Sequence, residues 1–216
     1  MQPVSTDFAP QGTRLALIEA GFHLFGRHSF AASSTRQLAT RAKTNIGSIA
    51  YHFGGKEGLR QACAEEIVRR ISTMLDSPPP GPDVSPQAAR VQLRTTLRGM
   101  VAFLVGGHQA DNVVPFILRE LQEGGPALDI FYQRLVEPTH RRLCLLWGAA
   151  TGQDPESEAV RLAVFSTIGQ VLYFRIGSRI VTRRMDWADI GSAQAERITE
   201  TLLANLDAQL GTLERS

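Results

Sequence analysis

Apolar positions recur at helical spacing along most of the chain. In the segment 13–27, Leu15, Ile18, Phe22 and Phe25 follow steps of three and four residues, which is the spacing of one buried helix face. No segment shows the sustained alternation of apolar and polar residues that a half-buried strand would have. The pattern therefore predicts an all-α protein.

Two short helices are predicted after the first one. Ser34, with Gln37 three positions later, has the spacing of a capping box, which starts the second helix. Asn45 can cap a third helix of about eight residues, and Gly54 is suited to end it. A fourth helix is predicted over 56–75. The second and third helices, joined by a short turn, form a helix-turn-helix pattern.

A proline-rich segment, 76–86, separates these helices from the rest of the chain. Proline has no amide donor and a fixed φ, so the segment is predicted to be a linker. Residues 1–12 are rich in Pro, Gln, Ser and Gly and are expected to form a disordered arm. Prolines and glycines indicate the ends of the later helices. These are predicted over 86–105, 112–123, 126–151 with a kink at Pro138, 155–183 and 189–210.

The composition is that of an ordinary globular protein. Of the 216 residues, 43% are hydrophobic and 20% are charged, and no run approaches the roughly 18 apolar residues of a membrane span. The N-terminus has neither the basic start nor the apolar core of a signal peptide. Cys63 and Cys144 lack CxxC spacing, which indicates reduced, buried thiols. We therefore expect a cytoplasmic protein without a membrane segment, metal or cofactor.

Positive charge is concentrated near the N-terminus. Residues 1–60 contain seven of the 23 basic side chains but only three of the 21 acidic ones. The remainder of the chain is slightly acidic. This asymmetry favours a small anion-binding domain attached to a separate body.

The third helix combines an apolar face with a polar and aromatic one. If Ile49 and Phe53 face inward, the opposite side presents groups that can hydrogen-bond or stack, and Gly47 allows close backbone approach. A helix of this size is about 12 Å long, and the DNA major groove is about 12 Å wide. The outward residues are Asn45, Ile46, Ser48, Tyr51 and His52. The pattern thus indicates DNA binding.

Four motifs occur together within 13–60. They are "LIEAGFHLF", "NIG", "YHF" and "KEGL". In this order and spacing they resemble the DNA-binding head of the TetR/AcrR family of bacterial transcriptional repressors. One position departs from the family pattern: a tyrosine usually follows the Leu or Ile of the third helix directly, whereas Ala50 holds that place here and Tyr51 comes one residue later.

The resemblance implies a role for each matching position. Thr35, Arg36 and Lys56 would contact backbone phosphates, which supply salt-dependent affinity, and the third helix would enter the groove. The groove residues would be Asn45, Ile46, Gly47, Ser48, Tyr51 and His52.

Other interpretations of the same residues stay open at the level of sequence. Tyr51 and His52 could cover the core near a helix end. Lys56 and Arg60, one helical turn apart, could form a solvated face.

The body of the chain is rich in aromatic and apolar residues. Most of them are expected in the core, but some could line a cavity for a small molecule. The runs "ILRE" and "FYQRLVEPTHRRL" resemble the CecR-like subgroup of the TetR/AcrR family, which implies an effector. The candidate ligand-binding residues are Phe103, Phe116, Arg119, Tyr132, His140, Trp147 and Tyr173.

The last two long helices are candidates for a subunit interface. Apolar residues cover more than one side of the segment 155–183, where Gly169 and Gly177 permit close helix approach. Two such helix pairs from two chains would form a four-helix bundle in a homodimer. The candidate interface residues are Phe165, Ile168, Leu172, Ile176, Ile198, Leu202 and Leu206.

These patterns lead to one functional hypothesis. The protein would be a repressor that a small hydrophobic effector releases from a pseudo-palindromic double-stranded operator. Its parts would be a disordered arm (1–12), a helix-turn-helix DNA-binding domain (13–60) and a ligand-binding and dimerisation domain (61–216). One alternative is a constitutive DNA-binding protein without an effector. Another is an all-helical enzyme using Cys144 or the region of Glu120 and His140, but no nucleophile-elbow, HExxH, P-loop or paired-carboxylate motif supports it.

Overall fold

A computed structural model of the chain describes residues 10–74, 80–81, 84–107 and 110–212. All regular structure within these ranges is helical, which confirms the all-α prediction. The helices are α1 (Pro10–Arg27), α2 (Thr35–Arg41), α3 (Gly47–Phe53), α4 (Lys56–Met74), α5 (Pro86–Leu104), α6 (Ala110–Glu123), α7 (Pro126–Phe131), a π-helical turn (Tyr132–Val136), α8 (Glu137–Thr151), α9 (Glu158–Ile176), α10 (Ser178–Met185) and α11 (Ser192–Thr212).

Local signals explain where the first helices begin and end. The Ser34 hydroxyl accepts the Gln37 N–H, and the Gln37 side chain accepts the Ser34 N–H, so the predicted capping box starts α2. Gly54 ends α3 with a φ of 72°, a conformation that glycine adopts without a steric penalty. α1 begins at Pro10, so residues 10–12 of the predicted arm are helical instead; residues 1–9 lie outside the described ranges.

Two of the predicted long helices are interrupted. The segment 126–151 contains the π-helical turn, and Pro138, which has no N–H to donate to the preceding turn, lies in the first turn of α8 directly after it. The segment 155–183 is divided at Gly177 into α9 and α10. In the predicted linker 76–86, residues 80–81 and 84–85 have no regular structure, Pro86 begins α5, and the others lie outside the description.

The chain forms two compact units. The first contains Met1–Arg70 and Asp111–Gln133, and the second contains Ile71–Ala110 and Arg134–Ser216, within the described residues. α4 therefore continues from one unit into the other. In this division α6 and α7 belong to the same compact unit as the head helices α1, α2 and α3. The predicted domain boundary between residues 60 and 61 rests on sequence motifs and stays a prediction.

The two units have cores of different composition. Four fully buried phenylalanines meet in the first unit, where Phe116 lies 6.1 Å from Phe22, 6.3 Å from Phe25 and 6.1 Å from Phe131 between ring centroids. In the second unit α5, α8, α9 and α11 pack together around mainly aliphatic side chains. Trp147 is the largest side chain of that second core.

Candidate nucleic-acid interface and second-unit cavity

One side of α3 is buried and the other is open. Ile49 is only 1% exposed and anchors the helix to the head, whereas Tyr51 is 83% exposed. The interpretation that Tyr51 covers the core is therefore wrong, while His52 is half-buried beside it at 4.9 Å between ring centroids. The remaining groove candidates are all accessible: Asn45, Ile46 and Gly47 are exposed and Ser48 is half-buried.

Side-chain hydrogen bonds hold the start of α3. The Ser48 N–H donates to Asn45 Oδ1 at 2.9 Å, and the hydroxyls of Thr44 and Ser48 lie 2.9 Å apart. Asn45 thus accepts an N–H group of the first turn, but the cap position itself is Ile46, one residue later than predicted. Because its Oδ1 is used within the protein, the Asn45 amide Nδ2 is the group left to donate outward.

The candidate phosphate contacts on α2 lie at its first turn. Thr35 is half-buried and Arg36 is exposed, directly after the capping residue Ser34. Both side chains are therefore accessible at the surface of the head.

Lys56 is engaged within the head. Its Nζ donates to the carbonyl oxygens of Phe30 and Ser33, each at 2.9 Å, and lies 4.2 Å from the centre of the Phe30 ring. Two of the three ammonium N–H groups are therefore used to hold the turn before α2 against the start of α4. The sequence showed no sign of this, because nothing in the run "HSFAAS" marks Phe30 as a partner for a lysine.

Arg60 is buried, so the interpretation of it as part of a solvated face is wrong. Its Nε donates to both carboxylate oxygens of Glu120, at 2.8 and 3.0 Å, and its guanidinium lies 4.5 Å from the Phe30 ring centre. Burial raises the pKa of Glu120, and the hydrogen bond from Arg60 opposes that shift. This ion pair joins α4 to α6 within the first unit.

The end of α3 lies tightly against the start of α4. A Cβ atom placed on Gly58 would come within 1.8 Å of the Phe53 carbonyl oxygen. The side chain of Phe53 also contacts α1, because the Arg14 guanidinium lies 5.4 Å from the centre of its ring. These contacts fix the orientation of α3 relative to α1 and α4.

The second unit contains an apolar cavity of about 20 Å³. Four helices line it, with Leu93 and Met100 from α5, Leu143 and Trp147 from α8, Ile168 from α9 and Leu206 from α11 among the lining side chains. Of the seven ligand candidates, only Trp147 lines it.

The other six ligand candidates are dispersed. Phe116 lies in the aromatic core of the first unit and does not line this cavity. Tyr132 and Tyr173 are 52% and 55% exposed, because each lies on an outward helix face. Arg119 is half-buried, and Phe103 and His140 are buried away from the cavity lining.

His140 and Cys144 form a buried contact without a catalytic arrangement. His140 Nε2 lies 3.2 Å from the Arg161 carbonyl oxygen, its ring stacks on Phe165 at 3.9 Å, and Cys144 Sγ lies 3.7 Å from its Nδ1. Burial raises the pKa of the Cys144 thiol, which disfavours the nucleophilic thiolate. Among the described residues no group of three or more His, Cys, Asp or Glu could hold a metal ion.

The interface candidates divide between the surface and the core. Phe165 and Ile176 are exposed and Ile168 and Leu172 are half-buried on α9. Ile198, Leu202 and Leu206 are corrected: they are at most 3% exposed, because α11 turns its apolar face to the core of its own chain. Within the described ranges α9 is also the one helix long and apolar enough to cross a membrane, which alone is weak evidence for a span.

Comparisons with known proteins match both parts of the chain. The family model for bacterial regulatory proteins of the tetR family matches residues 17–63, and that for the HTH-type transcriptional dual regulator CecR, C-terminal domain, matches residues 89–213. The HTH-type transcriptional dual regulator CecR of Shigella flexneri is 30% identical over 208 residues, covering 93% of this chain and 92% of that protein.

More distant similarities agree with this match. The HTH-type transcriptional regulatory protein RaaS of Mycobacterium tuberculosis is 27% identical over 194 residues, covering 87% of this chain and 85% of that protein. The crystal structure of AibR in complex with isovaleryl coenzyme A and operator DNA has a TM-score of 0.62 at 15% identity, covering 88% of this chain and 96% of that one. At that identity the likeness concerns the fold alone.

The matched proteins are transcriptional regulators and not enzymes, so the enzyme alternative is excluded. The two family models and the 30% identity to CecR of Shigella flexneri place this chain among them. The chain belongs to the TetR family of bacterial regulatory proteins, as a DNA-binding transcriptional regulator with a C-terminal domain of the CecR type.

Proposed function

We propose that the protein is a ligand-controlled repressor in the bacterial cytoplasm. Two chains form a homodimer that binds a pseudo-palindromic operator, and a small hydrophobic effector in the second unit releases it. For useful induction the effector must prefer the released conformer by several kcal/mol. The AibR crystal structure holds isovaleryl coenzyme A together with operator DNA, so a protein of similar fold combines both kinds of ligand.

The exposure of Tyr51 carries the DNA-binding part of the proposal. An aromatic side chain that is 83% exposed contributes little to the stability of the head, and it stands beside the accessible groups of α3. Ile46, 49% exposed, can contact thymine methyl groups in the same groove. Arg36 on α2 supplies positive charge for the phosphates.

The test is footprinting on the DNA upstream of the gene, followed by affinity measurements on the protected duplex. Tyr51→Ala should lower the affinity of the folded protein for this duplex by at least tenfold, which is about 1.4 kcal/mol. Tyr132→Ala is the matched control, because Tyr132 is an exposed tyrosine of the same compact unit outside α3. Equal affinity for both variants would overturn the assignment of α3 to the groove.

An apolar stripe along α9 and α10 supports the homodimer. Leu162, Phe165 and Ile176 are each more than half exposed and recur on α9 at steps of three and eleven residues, so they share one side of that helix, and Ile180, also more than half exposed, follows on α10. Gly169 lies between them, and a methyl group placed on it would meet no neighbouring atom within 4 Å. A second copy of this stripe would bury the apolar face of α9 without a membrane.

The footprint also tests the dimer. Two heads related by a twofold axis should protect two half-sites whose centres lie about 34 Å apart on one face of the duplex. The relative from Shigella flexneri is named a dual regulator, so a reporter assay should record activation as well as repression. A single protected half-site would contradict the proposed assembly.

A further inference from the structure

We infer that the cavity of the second unit binds a compact, uncharged, largely apolar molecule that carries one hydrogen-bond acceptor, and that Trp147 donates its indole N–H to that acceptor. The inference rests on the proposed function, because it names the chemical class of the effector. It is carried by the lining of the cavity and by one buried donor for which the described part of the chain supplies no acceptor.

The lining excludes a charged occupant. All the side chains around the cavity are aliphatic or thioether groups except Trp147 and Thr167. None carries a charge, and an ion moved from water into such surroundings would have nothing to replace its hydration. The occupant is therefore neutral, and most of its surface is apolar.

The buried donor defines the polar part of the ligand. Trp147 is 1% exposed, and its Nε1–H has no hydrogen-bond partner among the described residues. A buried indole N–H normally finds an acceptor, and it can only donate. The other polar group at the cavity, the Thr167 hydroxyl, already donates to the Ala163 carbonyl oxygen at 2.9 Å. An acceptor oxygen on the ligand would complete the one unmet hydrogen bond of the described lining.

The size of the cavity indicates how binding would act. A volume of about 20 Å³ holds roughly one water-sized group, so any larger occupant must displace side chains of the lining helices. Met100 on one wall is an unbranched side chain that adapts readily to a new neighbour. Leu143 and Ile168 lack packing partners on the side that faces the cavity. Occupation of the cavity therefore changes the packing of α5, α8 and α9, as an effector must.

Three probes of similar shape separate the features of the proposed ligand. Acetophenone has a ring and one carbonyl acceptor, cumene has nearly the same shape without an acceptor, and benzoate carries a charge. Binding is followed by ¹H–¹⁵N NMR of the two tryptophan indole groups in the full-length protein. Trp187 serves as the internal reference, because it lies in the same unit and does not line the cavity.

The expected result is a saturable shift of the Trp147 indole signal with acetophenone and none of the Trp187 signal. Cumene should bind roughly three- to tenfold more weakly, the range expected for one net hydrogen bond, and benzoate should not bind. Trp147→Phe should lose the preference for acetophenone over cumene, whereas Trp187→Phe should keep it; isothermal titration calorimetry measures both affinities in these variants, because Trp147→Phe lacks the reporting indole. Val164→Ile, which adds one methylene group to the lining, should weaken both neutral probes.

Three results would overturn the inference. The first is equal affinity for acetophenone and cumene, and the second is saturable binding of benzoate. The third is a Trp147 indole signal that shows exchange with a bound water molecule and no response to the probes. Fluorescence anisotropy of a labelled operator duplex is measured in parallel. If the probe binds through Trp147 but leaves the duplex bound, the inference stands and the effector part of the proposed function fails. If the protein binds no duplex at all, the DNA part fails alone.

Discussion

The two units achieve stability by different means. The first has a core of phenylalanine rings with a buried ion pair between Arg60 and Glu120. The second has an aliphatic core in which a cavity remains next to Trp147. Ion pairs and edge-to-face rings demand particular geometries, whereas aliphatic side chains can repack at modest cost. The comparison indicates that the unit carrying α3 maintains one arrangement and the other unit can adjust.

The largest test of this comparison removes the buried carboxylate. Glu120→Ala leaves the Arg60 guanidinium buried without its main partner, and we expect a loss of about 3–5 kcal/mol of unfolding free energy. Glu57→Ala is the matched control, because Glu57 also approaches Arg60, at 3.9 Å, but is largely exposed, so its loss should stay below about 1 kcal/mol.

Spectroscopy can assign that loss to one unit. Both tryptophans of the chain, Trp147 and Trp187, lie in the second unit, so their fluorescence follows that unit while circular dichroism follows all helices. Glu120→Ala should lower the dichroism midpoint more than the fluorescence midpoint. Equal losses for Glu120→Ala and Glu57→Ala in urea unfolding would contradict the importance of burial.

The second test asks how much extra volume each unit accepts. In Gly21→Ala the new methyl group would lie 2.5 Å from the fully buried Cys63 Sγ, so we expect a loss of about 1–3 kcal/mol in the first unit. Gly99→Ala in α5 meets no neighbouring atom within 4 Å and should stabilise the second unit by about 0.5–1 kcal/mol. Thermal unfolding of both variants checks the two signs, and a neutral Gly21→Ala would show that the first unit also adjusts.

The third test concerns Lys56. If its main task is to hold the turn at Phe30 and Ser33, Lys56→Gln should cost about 1–2 kcal/mol of stability and leave the salt dependence of DNA binding unchanged. Arg36→Gln, at an exposed position, should keep the stability and reduce the slope of log K against log salt by about 0.9, the value for one phosphate contact. If Lys56→Gln kept its stability and reduced the salt dependence of DNA binding, Lys56 would be assigned as a phosphate contact.

The smallest expected effect is a pH dependence of the first unit. Hydrogen bonds from Arg69, opposed by burial and supported by Arg70, lower the pKa of Glu66 from 4.5 to about 2. Because the folded-state pKa is the lower one, this stabilisation is present above pH 4.5 and is lost as the pH falls toward 2. Solvent weakens it, since Arg69 is largely exposed.

Glu66→Gln should flatten the acid side of the stability curve. Glu137→Gln, which removes a surface partner of Arg141 in the second unit, is the matched control and should leave the curve unchanged. Stability of both variants is measured by urea unfolding between about pH 2 and pH 5, the window in which the Glu66 carboxylate takes up its proton. An unchanged slope in Glu66→Gln would show that the ion pairs of Glu66 with Arg69 and Arg70 contribute nothing.

Features encoded within a few residues were predictable from the sequence. The capping box at Ser34 and the left-handed Gly54 determine the ends of α2 and α3, because each depends on neighbours in the chain. The inward position of Ile49 follows from helical spacing for the same reason. The start of α1 at Pro10 was not predicted, because the composition of residues 1–12 indicated a disordered arm.

Features that depend on distant partners were not predictable. Arg60 and Glu120 are 60 positions apart, so one sequence offered no reason to pair them. Helical spacing identified the apolar face of α11 at Ile198 and Leu202 correctly, but it could not show that the chain's own core covers this face. The same limit applies to the ligand candidates, of which only Trp147 lines the cavity.

The absence of a side chain at Gly58 determines which piece of this protein could be transplanted. The Phe53 carbonyl occupies the space that any larger residue would need, so α3 and the first turn of α4 keep a fixed mutual angle. A graft that ended at Gly54 would carry the exposed side chains of α3 without the contact between Phe53 and Gly58 that fixes the orientation of this helix. The smallest exchangeable segment must therefore extend beyond Gly58 into the helix that follows.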